Sequence, residues 1–135
     1  MTLVDAGPLI ALLDKGEADH HICVDALTIV TAPLVTTWPA FTEAMYLLGS
    51  AGGWHAQQAL WKLVDRGDLQ LIDLDETLRK RTQSLMSKYQ NVPMDLADAS
   101  LVAAAEALNV KRIFTLDSDF QIYRIKGRQA FETIP

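Results

Sequence analysis

Cysteine occurs once in the 135 residues, at Cys23, which excludes an intrachain disulfide and a thiolate zinc cluster. A reducing, cytoplasmic compartment is the expected setting. No run of 18 apolar residues is present, and Asp5 interrupts the apolar start of a chain that has no basic stretch ahead of it. Neither a membrane span nor a signal peptide is therefore expected. Histidine is scarce too: His20 and His21 are adjacent and His55 lies far away, so no histidine spacing suits a metal. Basic residues are nearly missing from the first half, where Lys15 alone faces six acidic residues between Met1 and Trp61. The whole chain carries a formal charge of −5, which opposes nonspecific coating of nucleic acid. A polyanion would have to approach through the second half, where acid and base balance.

Half of the residues are apolar, enough at this length for one core, so residues 1–135 are expected to form a single domain. The start, Thr2 to Ala6, reads as a short strand, and Gly7-Pro8 opens a helix over Leu9 to Asp14 with proline at an N1-like, first helical position. Asp19 is placed to cap a helix through Val30, Leu34 to Thr36 reads as a buried strand, and Thr37 with Pro39 starts a helix ended by Gly49 to Gly53. Trp54 to Arg66 is helical, Leu69 to Leu74 a strand, and Asp75 caps a helix to about Tyr89, where Asn91-Val92-Pro93 breaks the pattern. Asp95 caps a further helix, Leu96 to Leu108, which is apolar nearly all round and hence buried. Arg112 to Leu116 and Phe131 to Ile134 complete the strands. Strands alternating with helices predict an α/β fold: a three-layer α/β/α sandwich with a mostly parallel central sheet of four to five strands. In such sheets ligands sit beyond the carboxyl ends of the strands.

Several carboxylates stand at those ends or in apolar company. Asp5 is the only charge before Leu13 and ends the first strand; the adjacent helix N-terminus also offers it a simple dipole-favoured place. Glu43 is the only charge from Ala26 to Trp61 and shares a helical stripe with Ala40 and Leu47, so it is expected to face protein or the edge of a site. Asp95 and Asp98 bracket a helix start; Asp95 reads as the cap, and Asp98 opens a stretch of small residues that a ligand could approach closely. Asp117 and Asp119 follow the strand at Arg112, where an Asx turn is the ordinary alternative. Four carboxylates gathered on one rim must either hold protons or recruit positive charge. Oxygen ligands of this kind suit Mg²⁺ or Mn²⁺, and hydrolysis of a phosphate ester is the chemistry that follows.

The segments Leu3-Val4-Asp5-Ala6-Gly7-Pro8-Leu9-Ile10, the helical Glu43, Ala97-Asp98-Ala99 and Thr115-Leu116-Asp117-Ser118-Asp119-Phe120 together resemble a PIN domain over Thr2 to Ile134. The nearest likeness is to VapC-like toxins of prokaryotic toxin–antitoxin systems and their solitary bacterial relatives. The resemblance implies a Mg²⁺- or Mn²⁺-dependent ribonuclease with Asp5, Glu43, Asp98 and Asp117 as the acidic set and Asp119 as an auxiliary metal ligand. It implies in-line attack of water on an RNA phosphodiester, a homodimer and, for a toxin, a small antitoxin protein. Gly7 stands where many relatives carry a hydroxyl or amide side chain. Arg124, Lys126 and Arg128 would alternate on one face of an extended stretch and contact RNA, or be solvated like any charged strand. Arg79-Lys80-Arg81 reads as a solvated helix face. Leu47, Leu48, Trp54 and Trp61 supply apolar surface for a dimer, although Trp54 and Trp61 also fit a core. A non-cleaving protein that binds RNA or an antitoxin on the same fold is the alternative function. A receiver-like domain lacks its lysine here, and a haloacid-dehalogenase-like phosphatase lacks its second aspartate after Asp5.

Overall fold

Three consecutive buried residues, Thr2–Val4 (β1), suit only the middle of a sheet, and in the computed structural model, which describes residues 1–135, β1 is the central strand. It pairs with β2 (Leu34–Thr37) on one side and β4 (Arg112–Phe114) on the other. Outside these lie β3 (Leu69–Ile72) and β7 (Glu132–Ile134), giving the order β3-β2-β1-β4-β7 with every neighbouring pair parallel. The sheet thus has five strands. Successive β1 residues point to opposite faces: Leu3 enters a core with Leu85, Leu101 and Val102, and Val4 one with Leu9, Phe41, Leu48 and Leu60. Helices α4 (Glu76–Lys88) and α5 (Leu96–Leu108) supply the first core; α1 (Ala6–Leu13), α2 (His20–Ala26) and most of α3 (Trp38–Asp65) supply the second. This is the expected three-layer α/β/α sandwich. The near-continuous apolar face of α5 is buried from Ala97 to Ala105, which fixes this helix against the sheet.

Local departures from expectation have identifiable causes. Asp5 itself caps α1, so β1 stops at Val4 and Pro8 falls at the third helical position rather than the first. Helix α2 ends at Ala26, not Val30, because Thr28, Ile29, Val30 and Thr31 are β-branched and poor helix formers. The expected break at Gly49 to Gly53 narrows to one residue: α3 continues through Gly49 and Gly52, and only Gly53, at φ 63° and ψ −156°, leaves helical geometry. Across that kink the Gln57 side chain donates from Nε2 to the Met45 carbonyl at 3.2 Å. Strands β3 and β4 each end two residues early, at Ile72 and Phe114.

The stretch expected to be extended around Arg124, Lys126 and Arg128 is a hairpin. Strands β5 (Arg124–Ile125) and β6 (Gln129–Ala130) pair antiparallel, and left-handed backbone at Lys126 (φ 52°) and Gly127 (φ 73°) turns the chain between them. The three basic residues therefore do not line one strand face. Trp54 is 63% exposed rather than in the core, whereas Trp61 packs edge-on against Phe41 with ring centroids 5.0 Å apart. Arg79-Lys80-Arg81 lies on α4, where Lys80 reaches Glu76 at 3.1 Å and Arg81 grips Glu106 of α5 with two hydrogen bonds of 2.6 and 3.0 Å.

Candidate active site

The carboxyl ends of β1 and β4, with α3 and the start of α5, enclose one cavity of about 450 Å³, lined by Asp5, Ala6, Gly7, Glu43, Asp95, Asp98, Leu116, Asp117 and Ser118. Each carboxylate arrives there for a local reason. Asp5 leaves β1 as the cap of α1 and accepts the Ala6 N–H at 2.8 Å. Asp98 occupies the third position of α5, whose start is capped by Asp95 accepting the Asp98 N–H at 2.8 Å. Asp117 caps the short 3-10 turn Ser118–Gln121 by accepting the Asp119 N–H at 2.9 Å. Helix N-termini favour negative charge, so the fold offers these positions to acidic residues before any ligand is considered.

Oxygens of Asp5, Asp98 and Asp117 all lie within 4.8 Å of one another. Asp5 and Asp98 are buried, Asp117 half-buried. Glu43 faces the same cavity from α3 but is solvent-exposed and outside that group of three. Asp119 is neither in the group nor in the cavity wall; its part is the backbone N–H that holds Asp117. Asp95, read from sequence as a cap alone, both caps α5 and lines the cavity.

The electrostatic consequence is strong because no lysine or arginine lines the cavity. Burial, reinforced by the Asp95 charge, pushes the Asp98 carboxyl up to about 8, with Asp5 and Asp117 adding to the shift and the Tyr123 hydroxyl opposing it. Burial likewise raises Asp5 above the usual carboxylate range. Hydrogen bonds from the Ala6 N–H and the Thr115 hydroxyl work against that rise, and Asp117 and Asp95 add to it. Glu43 is raised by partial burial and then by Asp5, Asp95 and Asp117. A cluster that resists losing its last protons binds a divalent cation in their place. The oxygen-only donor set fits a hard cation of the Mg²⁺ or Mn²⁺ kind.

Hydroxyl groups that sequence reasoning gave no role hold the carboxylates. Thr115 Oγ1 donates to Asp5 Oδ2 at 3.2 Å and accepts the Asp117 N–H at 3.0 Å, joining two of the three acids. Tyr123 donates to Asp98 Oδ2 at 2.9 Å. A buried pair, Thr37 Oγ1 and Ser100 Oγ at 2.6 Å, ties the end of β2 to α5. The only sequence signal for these groups was the presence of Thr115 in the motif around Asp117.

Arg124, Lys126 and Arg128 lie outside the cavity wall. The Arg124 guanidinium donates to the carbonyls of Gln121, Ile122 and Tyr123 at 2.7 to 3.3 Å, while Lys126 and Arg128 are exposed on the hairpin turn. No helix is long and apolar enough to cross a membrane.

This geometry can be set beside known proteins. Ribonuclease VapC26 of Mycobacterium tuberculosis is 26% identical over 134 residues, covering 98% of this chain and 99% of that protein. The crystal structure of VapC20 from the same organism, described as a sarcin-ricin loop cleaving toxin, superposes with a TM-score of 0.83 at 16% identity, over 90% of this chain and 94% of that one. VapBC2 from Rickettsia felis, solved bound to a DNA fragment from its promoter, matches with a TM-score of 0.70 at 12% identity over 99% and 98% of the two chains. The family model described as PIN domain matches residues 2–126, a span that contains every carboxylate of the cavity, and the chain belongs to the PIN domain family.

Proposed function

We propose that this chain is a Mg²⁺- or Mn²⁺-dependent endoribonuclease that hydrolyses RNA phosphodiester bonds at the carboxylate cavity, as the toxin of a toxin–antitoxin pair. The observation that carries the reading is the convergence of Asp5, Asp98 and Asp117 within 4.8 Å in a cavity without a basic side chain. A surface evolved only to bind RNA gains nothing from uncompensated negative charge, whereas a cation-assisted hydrolase needs it. The activity named for the M. tuberculosis ribonuclease, matched along nearly its whole length, supports the same reading. A structural neighbour described as a toxin–antitoxin complex from Klebsiella pneumoniae, with a TM-score of 0.69 at 21% identity over 89% of this chain and 90% of that one, supports a small antitoxin protein as partner.

In this proposal Asp5, Asp98 and Asp117 hold the cation. Bound there, it supplies Lewis-acid charge beside a phosphodiester and acidifies water. Thr115 fixes Asp5 and, through the Asp117 N–H, the loop after β4, so the carboxylates are oriented before substrate arrives. Glu43, on the wall of the same cavity but outside the cluster of three, is the carboxylate left to accept the proton of the attacking water. Lys126 and Arg128, exposed on the hairpin, are the basic groups assigned to RNA phosphates; Arg124 is committed to backbone carbonyls.

The test is cleavage of a fluorescent single-stranded RNA by the purified chain. Cleavage is expected with Mn²⁺ or Mg²⁺, loss on chelation, and recovery when the cation is returned. Undiminished cleavage in chelator, with contaminating nuclease excluded, sinks the metal mechanism. RNA or antitoxin binding without turnover at any cation concentration selects the non-cleaving alternative instead.

A further inference from the structure

Asp98 accepts one side-chain hydrogen bond, from Tyr123 to Oδ2 at 2.9 Å, and its other carboxylate oxygen has no partner within the protein. Tyr123 is completely buried. Its ring is held edge-on by Tyr89 and by Phe120, each with centroids 5.2 Å away. The surroundings are braced in turn: the Arg124 N–H donates to the Tyr89 hydroxyl at 3.1 Å, and Arg124 Nη1 donates to the Tyr123 carbonyl at 2.9 Å. The phenol is thus enclosed by aromatic rings, and its hydroxyl has a single recipient.

An acidic residue at the third position of a helix has a ready alternative to facing a cavity. It can reach back to the N–H of the capping residue, here Asp95, and close a capping box. Asp98 makes no such bond; its carboxylate is taken by Tyr123 instead. We propose that Tyr123 is a positioning residue of the carboxylate cavity: its fixed hydroxyl holds one oxygen of Asp98, so that the other is presented to a cation alongside Asp5 and Asp117. The inference rests on the cation-dependent reading above. It makes Tyr123 part of the site although the residue does not line the cavity and stands 25 positions along the chain from Asp98.

Removing an outer partner that orients a ligand costs about ten- to a hundredfold in metal affinity. The experiment is calorimetric titration of the metal-free full chain with Mn²⁺ for wild type, Tyr123→Phe and Phe120→Leu, with melting temperature and RNA cleavage measured on each. Tyr123→Phe removes one oxygen and keeps the ring; Phe120→Leu loosens the ring stack and keeps the donor. The expected result is at least tenfold weaker Mn²⁺ binding by Tyr123→Phe, with most of the wild-type kcat recovered at saturating Mn²⁺. Phe120→Leu is expected to melt lower and to lose less Mn²⁺ affinity than Tyr123→Phe, since it keeps the donor and Tyr89 still holds the ring. Wild-type cleavage and Mn²⁺ binding with Tyr123→Phe affinity within twofold overturn the positioning role alone. Equal affinity loss in both variants also overturns it, since packing would then set the affinity. So does a kcat that stays low at saturation, because the hydroxyl would be acting in the reaction itself. A wild type that binds no Mn²⁺ removes the cation-dependent reading and this inference with it.

Discussion

At the scale of single residues the site turns on the difference between a helix cap and a ligand, and Asp98 separates the two. Asparagine at this position still accepts the Tyr123 hydroxyl and still suits a helix start, so Asp98→Asn is expected to fold. If Asp98 holds a cation, RNA cleavage falls by at least about a hundredfold, roughly 3 kcal/mol of barrier; unchanged cleavage would leave the residue as part of a helix start only. Stability should report the same charge. The Asp98 carboxyl, pushed up to about 8 from 3.8 by burial and Asp95, keeps its proton more readily folded than unfolded. Its contribution is therefore fully present below pH 3.8 and is lost as pH rises toward about 8. Melting of the chelated protein should show wild type losing ground to Asp98→Asn across that window, with Mn²⁺ reversing the loss; parallel curves would contradict the assignment. Asp5 and Asp117 were legible in the sequence because strand ends can be read from local pattern, and Glu43 because a lone charge in an apolar stretch stands out. Tyr123 was not, since a hydroxyl that meets a carboxylate 25 residues away leaves no local trace; Thr115 stood within the motif around Asp117, but its bond to Asp5, 110 residues away, had no local sign. Asp95 was half legible: capping explained it so fully that its place in the cavity wall had no separate signal.

At the scale of elements, hydrophobic periodicity and the cap residues Asp75 and Asp95 located the sheet strands and main helices, because the signals that form these elements are contiguous. What escaped was geometry set by tertiary contact. Five residues with three glycines from Gly49 to Gly53 read as a helix end, yet the helix passes through Gly49 and Gly52 and bends only at Gly53. Burial of Leu48 before the kink and Leu60 after it in one core keeps both halves helical against the poor propensity of glycine. Gly53 is needed there for its backbone, since φ 63° with ψ −156° is a conformation in which a side chain is strained, and Gly52 for space, since a Cβ on it would stand 2.9 Å from the Ala56 Cβ. Gly53→Ala should cost about 1 to 3 kcal/mol of stability, whereas Ser50→Ala, at an exposed helical position of the same segment, should cost almost nothing. Urea unfolding of the two variants makes the comparison, and equal midpoints would place the kink elsewhere. The hairpin β5–β6 escaped for a related reason. Its shape depends on Glu106 of α5, which bonds both Arg81 and the Lys126 N–H, and no periodicity in Arg124 to Arg128 announces that anchor.

At the scale of the whole molecule, the distribution of apolar surface decides whether one copy is sufficient. The expectation of a homodimer drew on Leu47, Leu48, Trp54 and Trp61. Leu48 is fully buried and Trp61 packs on Phe41, so those two are consumed within the chain. Leu47 and Trp54 remain exposed, joined by Tyr46 at 72% exposure, so that three large apolar side chains flank the Gly53 kink within nine residues. Single exposed apolar residues are ordinary, but a group of aromatics on one element marks an interaction surface. A second exposed pair, Trp38 and Leu96, lines an apolar hollow that adjoins the carboxylate cavity through their shared neighbour Asp95. Trp38 Nε1 is held there by Asp73 at 2.6 Å. Acidic repulsion from a net charge of −5 opposes self-association, so a dimer must be driven by burying such apolar surface rather than by complementary charge. Light scattering at micromolar concentration should therefore give twice the 14.9 kDa of one chain, with little change in high salt. Replacing both Leu47 and Trp54 by aspartate places two charges in that face without touching either core, and the expected result is a folded monomer. A wild type that is already monomeric ends the dimer proposal. A double variant that keeps the dimer mass rules out the Leu47 and Trp54 face as the interface.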